Sequence, residues 1–290
     1  MTRSQPLALL VLIYGFAVLW VLVAAFPFVW TMWGSLKIET DFFGHWTKNL
    51  TGEDTLRQFG SYFTTLGYEA AFSAKKQFGQ AVGNTMIVTV CTVAISLTFG
   101  TLGGYALARS TAKYAFVLLI IALVFRAMPH ITLVSGYMEP LFSWGIWGQT
   151  WVAVIVLVAI NQPFTIWMMR SFFMNVPREL DESAMIDGGC NRLQGFWHVI
   201  MPVMWPGVIT TGLFSFLLAY NDFTVTSALL SQQNTTMVPR IAGFLGSAQN
   251  DGDQMAAVAA VVTATAPLFV LIMIFQRQLV SGLTAGAVKG

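Results

Sequence analysis

The sequence predicts an all-α integral membrane protein with six transmembrane helices, and three observations carry that prediction. Of its 290 residues, 56% are hydrophobic and 10% charged, against the ~25% charged residues of soluble domains. The mean hydropathy is +0.67. Several stretches run beyond about 20 residues without a charge, the length a helix needs to cross the hydrocarbon core. A net charge of +2 is too small to argue for nucleic acid, which leaves the lipid bilayer as the surroundings. Cys91, in an apolar run, and Cys190, in a polar loop, are too few for a disulfide framework and read as unpaired.

Ser4 to Leu36 carries no charge and forms the first span, far longer than a signal-peptide core. Trp20, Trp30 and Trp33 supply interfacial anchors. Ile38 to Gln80 is mixed-charge and aromatic, with room for short surface helices. Gln77 to Ala108 contains the second span, and Ser96, Gly100, Gly104 and Ala108 recur every four residues along it. Such a small-residue stripe lets helices approach closely. Tyr114 to Tyr137 is the third span, expected to kink or end early near Arg126 and Pro129. Gln149 to Met169 is the fourth, expected to be interrupted at Asn161-Gln162-Pro163. Met204 to about Ser231 is the fifth, carrying Asn221 and Asp222, and Gln254 to Gln276 is the sixth.

Between the fourth and fifth spans lies the most polar part of the second half, Pro177 to Pro202. Pro177 fits the first turn of a helix whose N-terminal half is loaded with Glu179, Asp181 and Glu182, the sign a helix start favours. Gly188 and Gly189 supply a stop. Leu193, Phe196, Trp197 and Ile200 then recur at i, i+3, i+4 and i+7, one apolar face of a second short helix, and Pro202 ends it or starts the next element. Two short helices joined by a glycine turn suit a piece that another protein grips.

Six spans put both termini on one side. Arg3, Arg109, Lys113, Arg170, Arg178, Arg192, Arg277 and Lys289 fall on the side of the polar loop, against Arg240 in the short loops opposite. The positive-inside rule therefore places the N- and C-termini and the polar loop in the cytoplasm. The chain has no Gly-x-x-x-x-Gly-Lys-Ser/Thr phosphate cradle, and His45, His130 and His198 stand at no metal-ligand spacing. With no nucleophile motif either, an enzyme is not expected. Ionisable and amide groups inside spans mark solute routes, since a charge at mid-bilayer costs about 2.5–3.5 kcal/mol on the insertion scale. Asn161, Gln162, Tyr220, Asn221 and Asp222 are the pathway candidates, together with Arg126. Tyr220 to Asp222 in particular joins an aromatic face to amide and carboxylate groups, the chemistry that holds hydroxyl-rich solutes.

Glu182-Ser183-Ala184, followed by Asp187-Gly188 and later Ile200-Met201-Pro202, resembles the "EAA" loop of permease subunits in ABC importers. The family pattern is Glu-Ala-Ala, three residues, Gly, and a run closing on Ile-x-Leu-Pro. Ser183 and Met201 depart from it, and Gly188 to Pro202 is one residue longer than usual. Arg170 to Pro177 is similar to the Arg-x-Phe-Phe-x-x-x-Pro lead-in of the carbohydrate-type branch. Gly104-Tyr105-Ala106-Leu107-Ala108-Arg109 resembles the family's Tyr-Ala-Leu-Ala-Arg helix end, and Ser35-Leu36-Lys37 its Ser-Phe-Lys. Leu279 to Gly290 resembles the tail of maltose-type permeases that lack the large periplasmic insert.

The resemblance implies a type I ABC importer permease fold in a bacterial inner membrane. Residues 1–80 would be the first helix and an extracytoplasmic loop, 81–278 the core permease domain with the coupling loop 177–202, and 279–290 a cytoplasmic tail. It implies import of a sugar, sugar derivative or polyol. The implied partners are a homologous second permease, two ATPase subunits that carry the ATP and Mg, and an extracytoplasmic solute-binding protein. No cofactor would be bound by this chain. Glu182, Ser183, Ala184, Asp187 and Gly188 would couple to the ATPase, and Thr284, Gly286, Ala287 and Lys289 would contact it from the tail. The alternative is a six-span subunit of an ion-coupled secondary transporter or channel.

Overall fold

The computed structural model describes residues 7–37, 63–246 and 251–285, with the side chains of 113, 251–253 and 279–285 left aside. Most of the polar loop after the first span, and Gly286, Ala287 and Lys289 of the tail, therefore lie outside the described residues. In chain order the helices are α1 (Leu7–Gly34), α2 (Leu66–Ala71), α3 (Phe78–Arg109), α4 (Lys113–Arg126), α5 (His130–Ser143) and α6 (Thr150–Phe173). There follow α7 (Glu179–Ile186), α8 (Arg192–Tyr220), α9 (Thr224–Leu229), α10 (Met237–Gly246) and α11 (Asp251–Ala285). Five helices among the described residues are long and apolar enough to cross a membrane, six if the bent pair α4–α5 counts as one span. Two compact units divide the chain: Met1–Phe78 with Ile241–Leu268, and Gly79–Arg240 with Phe269–Gly290.

In the first unit α1 is apolar all round and exposed along almost its whole length, as a lipid-facing or partner-facing helix must be. Beyond its end the Ser35 hydroxyl lies 2.9 Å from that of Tyr68. The Lys37 ammonium sits 4.4 Å above the Phe63 ring, a cation held by the negative face of an aromatic. Phe72 and Phe244 pack on Phe78 with ring centroids 5.3 and 6.3 Å away.

The second unit is organised around α6. The stripe on α3 does what its spacing predicts. A Cβ on Gly104 would stand 2.6 Å from Met169 Cβ and 2.9 Å from the backbone nitrogen of Arg170, and one on Gly100 would collide with the Thr165 side chain. Toward α8, buried Asn161 donates to Ser215 Oγ at 2.8 Å, and Thr165 Oγ1 lies 3.3 Å from the same oxygen. Val134, Leu141, Val152, Leu157, Val225 and Leu229 form one apolar core and Met169, Phe173, Phe196, Ile200 and Met204 another.

The third span breaks where the sequence expects, whereas several other boundaries depart from the expectations, each for a physical reason. The third span breaks at Ala127–Pro129, where α4 and α5 meet at 91°. Proline has no N–H to continue the ladder and pushes its predecessor out of the helical region. The fourth span, expected to be interrupted, runs unbroken through Pro163. Its cost is one backbone hydrogen bond, and the buried contact of Asn161 and Thr165 with α8 holds the turn. The second short helix, expected to end at Pro202 or to give way there to a new element, continues without a break into the fifth span. A π-helical turn, Phe196–Ile200, precedes Pro202, and the α-helix resumes through Pro206. That span stops at Tyr220 and not near Ser231, so Asn221 and Asp222 lie in the turn after it. The sixth runs on beyond Gln276, its backbone helical to Ala285.

Candidate functional site

The loop between α6 and α8 presents two unlike faces. α7 ends where Asp187 N–H bonds Ser183 O at 2.8 Å and Cys190 N–H bonds Ala184 O at 3.2 Å. Gly189 takes φ +59° there, the left-handed conformation that glycine adopts without strain. Gly188 leaves no room for a side chain, since its Cβ would stand 2.8 Å from Ala184 O. α8 then opens with a capping box. Asn191 Oδ1 accepts from Gln194 N–H at 2.9 Å, and Gln194 Oε1 accepts from Asn191 N–H at 3.0 Å. The Asn191-x-x-Gln194 spacing is the sequence signal for that start.

Glu179, Glu182, Ser183, Asp187 and Gly188 are exposed, and Glu182 also borders the cleft lined by Tyr105, Arg109 and Asp181. The same loop carries large exposed apolar side chains, Ile186 at 80% exposure, Leu193 at 64% and Trp197 at 54%. Leu193 and Trp197 thus leave the buried face to Phe196 and Ile200. Ala184 is buried, its Cβ 3.3 Å from where a Cβ on Gly195 would sit. It sets the spacing between α7 and α8 and does not face outward.

Inward, the loop is tied to the end of α3. Asp181 accepts from the Tyr105 hydroxyl through Oδ1 at 2.6 Å and from Arg109 Nε through Oδ2 at 2.7 Å. Arg109 Nη1 also donates to the carbonyls of Phe173 and Val176, at 3.1 and 3.2 Å, where α6 ends. The Tyr105 ring packs against Phe196 and Phe173 with centroids 4.8 and 5.4 Å away. The sequence singled out Tyr105 and Arg109 as a motif and Asp181 as a helix-start acid, without joining them. The signal that joins them is positional. Asp181 precedes buried Ala184 by three residues, and Tyr105 precedes Arg109 by four, so each pair shares a helix face.

The pathway candidates divide into two places. Asn161 is fully buried against α8, and the Gln162 side-chain amide donates to Ser96 O at 3.4 Å. Asn161 Oδ1 and Gln162 Oε1 have no hydrogen-bond partner among the described residues. Tyr220, Asn221 and Asp222 gather about 10 Å further along α8 from Ser215, at 1.5 Å of rise per residue. There Tyr220 is buried and stacks on Phe216, and exposed Asn221 donates to Leu217 O at 3.0 Å. Asp222 Oδ1 accepts from the Thr226 N–H at 2.8 Å, capping the start of α9. Arg126 holds its guanidinium 4.6 Å above the Phe164 ring. Thr284 falls within helical backbone at the end of α11.

Comparison with known proteins places this geometry. The sequence profile of "Binding-protein-dependent transport system inner membrane component" matches residues 97–285. The chain belongs to that family. This inner-membrane component is 30% identical to the trehalose/maltose transport system permease protein of Thermococcus litoralis, over 99% of each chain. It is 30% identical to the sulfoquinovosyl glycerol transport system permease protein of Agrobacterium fabrum, over 91% of this chain and 89% of that one. It is 34% identical to the diacetylchitobiose uptake system permease protein of Streptomyces coelicolor, over 73% and 76%. Among solved structures, a bacterial ABC transporter involved in importing the acidic polysaccharide alginate superposes with a TM-score of 0.75 at 18% identity. It covers 96% of this chain and 99% of that one, and carries the fold. The component is a multi-pass inner-membrane protein and not itself an enzyme. Its family sets aside the ion-coupled alternative.

Proposed function

We propose that this component forms half of the translocation pathway of an ATP-driven importer for a sugar, sugar derivative or polyol. A homologous permease supplies the other half, two ATPase subunits bind ATP and Mg, and an extracytoplasmic binding protein delivers the solute. Both termini and the α7–α8 loop lie in the cytoplasm. The observation that carries this reading is the outer face of that loop. Three exposed carboxylates, Glu179, Glu182 and Asp187, share one short loop with exposed Ile186, Leu193 and Trp197. Exposed apolar side chains in a charged setting mark a protein–protein contact. The carbohydrate class rests on the relatives named above, which transport trehalose or maltose, sulfoquinovosyl glycerol and diacetylchitobiose by name. Purification of the component with its ATPase, followed by vanadate-sensitive solute uptake in proteoliposomes, tests the reading. Uptake driven by an ion gradient without ATP overturns it.

Two further roles belong to this reading. Asn161, Gln162, Tyr220, Asn221 and Asp222 line or gate the solute route. Asp222→Asn keeps an oxygen for the Thr226 N–H and should assemble normally, while transport affinity or rate changes several-fold, in proportion to a lost charged hydrogen bond. Unchanged kinetics leaves Asp222 a helix cap alone. The tail, with Thr284, Gly286, Ala287 and Lys289, enters the interface between the ATPases. Deleting Leu283 to Gly290 should spare assembly and alter basal ATP turnover, and identical turnover in the truncated complex makes the tail a free end.

A further inference from the structure

Four carboxylates lie in or beside α7, and they do not share one environment. Glu179, Glu182 and Asp187 are exposed, whereas Asp181 is turned inward with both oxygens bonded to α3. Its two donors, Tyr105 and Arg109, are one helical turn apart. A carboxylate gripped at two points along a helix fixes both the height and the rotation of that helix relative to the loop. Arg109 extends the grip by donating to the carbonyl of Phe173, the last residue of α6, and to that of Val176 just beyond it, and Arg178 Nη2 donates to Ala108 O at 3.4 Å. The Tyr105 ring packs in one aromatic cluster with Phe173 and Phe196, which leaves the hydroxyl little freedom to swing away.

We infer that Asp181 is the positioning residue that carries movement of the coupling loop into membrane helix α3, acting through Tyr105 and Arg109. The inference rests on the loop being the ATPase contact, and it assigns Asp181 a part distinct from that contact. The outward residues receive the push. Asp181 passes it on, because a charge-assisted pair held by two short bonds yields less than the apolar packing around it. α3 is the helix whose glycines lock it against α6, so a displacement at Arg109 is delivered to the centre of the second unit and is not absorbed at its edge.

The test uses the full complex of both permeases, the ATPases and the binding protein in lipid nanodiscs. The readout is the stimulation of ATP hydrolysis on adding the binding protein, divided by the amount of ATPase that co-purifies. Asp181→Asn should lower that ratio about tenfold, the effect of one lost charged hydrogen bond. Tyr105→Phe keeps the ring packing and removes only the hydroxyl, so it tests the latch in a chain that folds. It should lower the ratio in the same direction, and the double variant should lose little more than Asp181→Asn alone. Asp181→Glu, which keeps the charge, should recover part of the stimulation. Full stimulation in both Asp181→Asn and Tyr105→Phe overturns the inference, as does a loss explained entirely by ATPase no longer co-purifying. A wild-type complex that retains no ATPase overturns the functional reading itself, and the inference with it.

Discussion

Gly104→Leu should leave almost no folded component in the membrane. The position has no tolerance for a side chain, because a Cβ would meet Met169 Cβ at 2.6 Å and the Arg170 backbone nitrogen at 2.9 Å. The second of these is main chain inside a 24-residue helix and cannot turn aside. Relief requires α3 and α6 to separate, which forfeits the packing that holds membrane helices together where no hydrophobic driving force acts between them. Overpacking of this kind costs about 1–3 kcal/mol or more, and here it also pulls on the Arg109 contacts one turn away. Gly83→Ala is the control, since nothing stands within 4 Å of its Cβ. Detergent-solubilised yield and melting temperature by size-exclusion chromatography decide the matter. A Gly104→Leu protein that melts with wild type means the two helices do not depend on this contact.

Glu182→Lys should insert and fold normally yet abolish uptake. The side chain is exposed, and surface substitutions of this kind change stability little. Reversing one charge on the rim of a docking face instead sets like against like wherever the partner presents a base. Ile186→Asp attacks the same face at its apolar centre, and each change should reduce solute uptake by at least about tenfold, the scale of a hot-spot loss. Normal solute-stimulated ATP hydrolysis and uptake in Glu182→Lys removes the loop from the contact. Paired with the Asp181 variants, these substitutions separate losing the partner from losing its signal.

How far the sequence foretells this arrangement depends on whether a feature is local. The charge-free runs, the small-residue stripe of Gly100 and Gly104 and the Gly188-Gly189 turn each state their own geometry, and each is found where the residues put it. Pro163, Pro202 and Pro206 do not. A proline in a membrane helix breaks it or is carried through according to what packs beside the missing hydrogen bond. Pro129 ends α4, while Pro163 is held by the α6–α8 contact. The placement of Asp222 outside the fifth span follows from Tyr220 ending α8 in a turn that the apolar composition of 223–230 disguises. The partition of the acids was hidden for a related reason. Glu182 and Asp181 are neighbours in the chain, and only the direction in which Ala184 is buried tells which of them looks inward.

The right-angled break after Arg126 carries a consequence for hydration. α4 has 14 residues, about 21 Å of rise, and the hydrocarbon core is about 30 Å thick. Turn bonds from Ala127 and Met128 N–H satisfy the Val124 and Phe125 carbonyls, and Thr132 N–H reaches Pro129 O. A span that stops short and turns by 91° nonetheless leaves other terminal carbonyls and N–H groups outside the helical ladder at membrane depth. Lipid cannot satisfy them, so that site is wetted, or sealed by another polypeptide that supplies its own polar groups. Arg126, the last residue of α4, then resides beside water or a protein dipole and not in oil. The Phe164 ring beneath it forms the dry floor of that wet place.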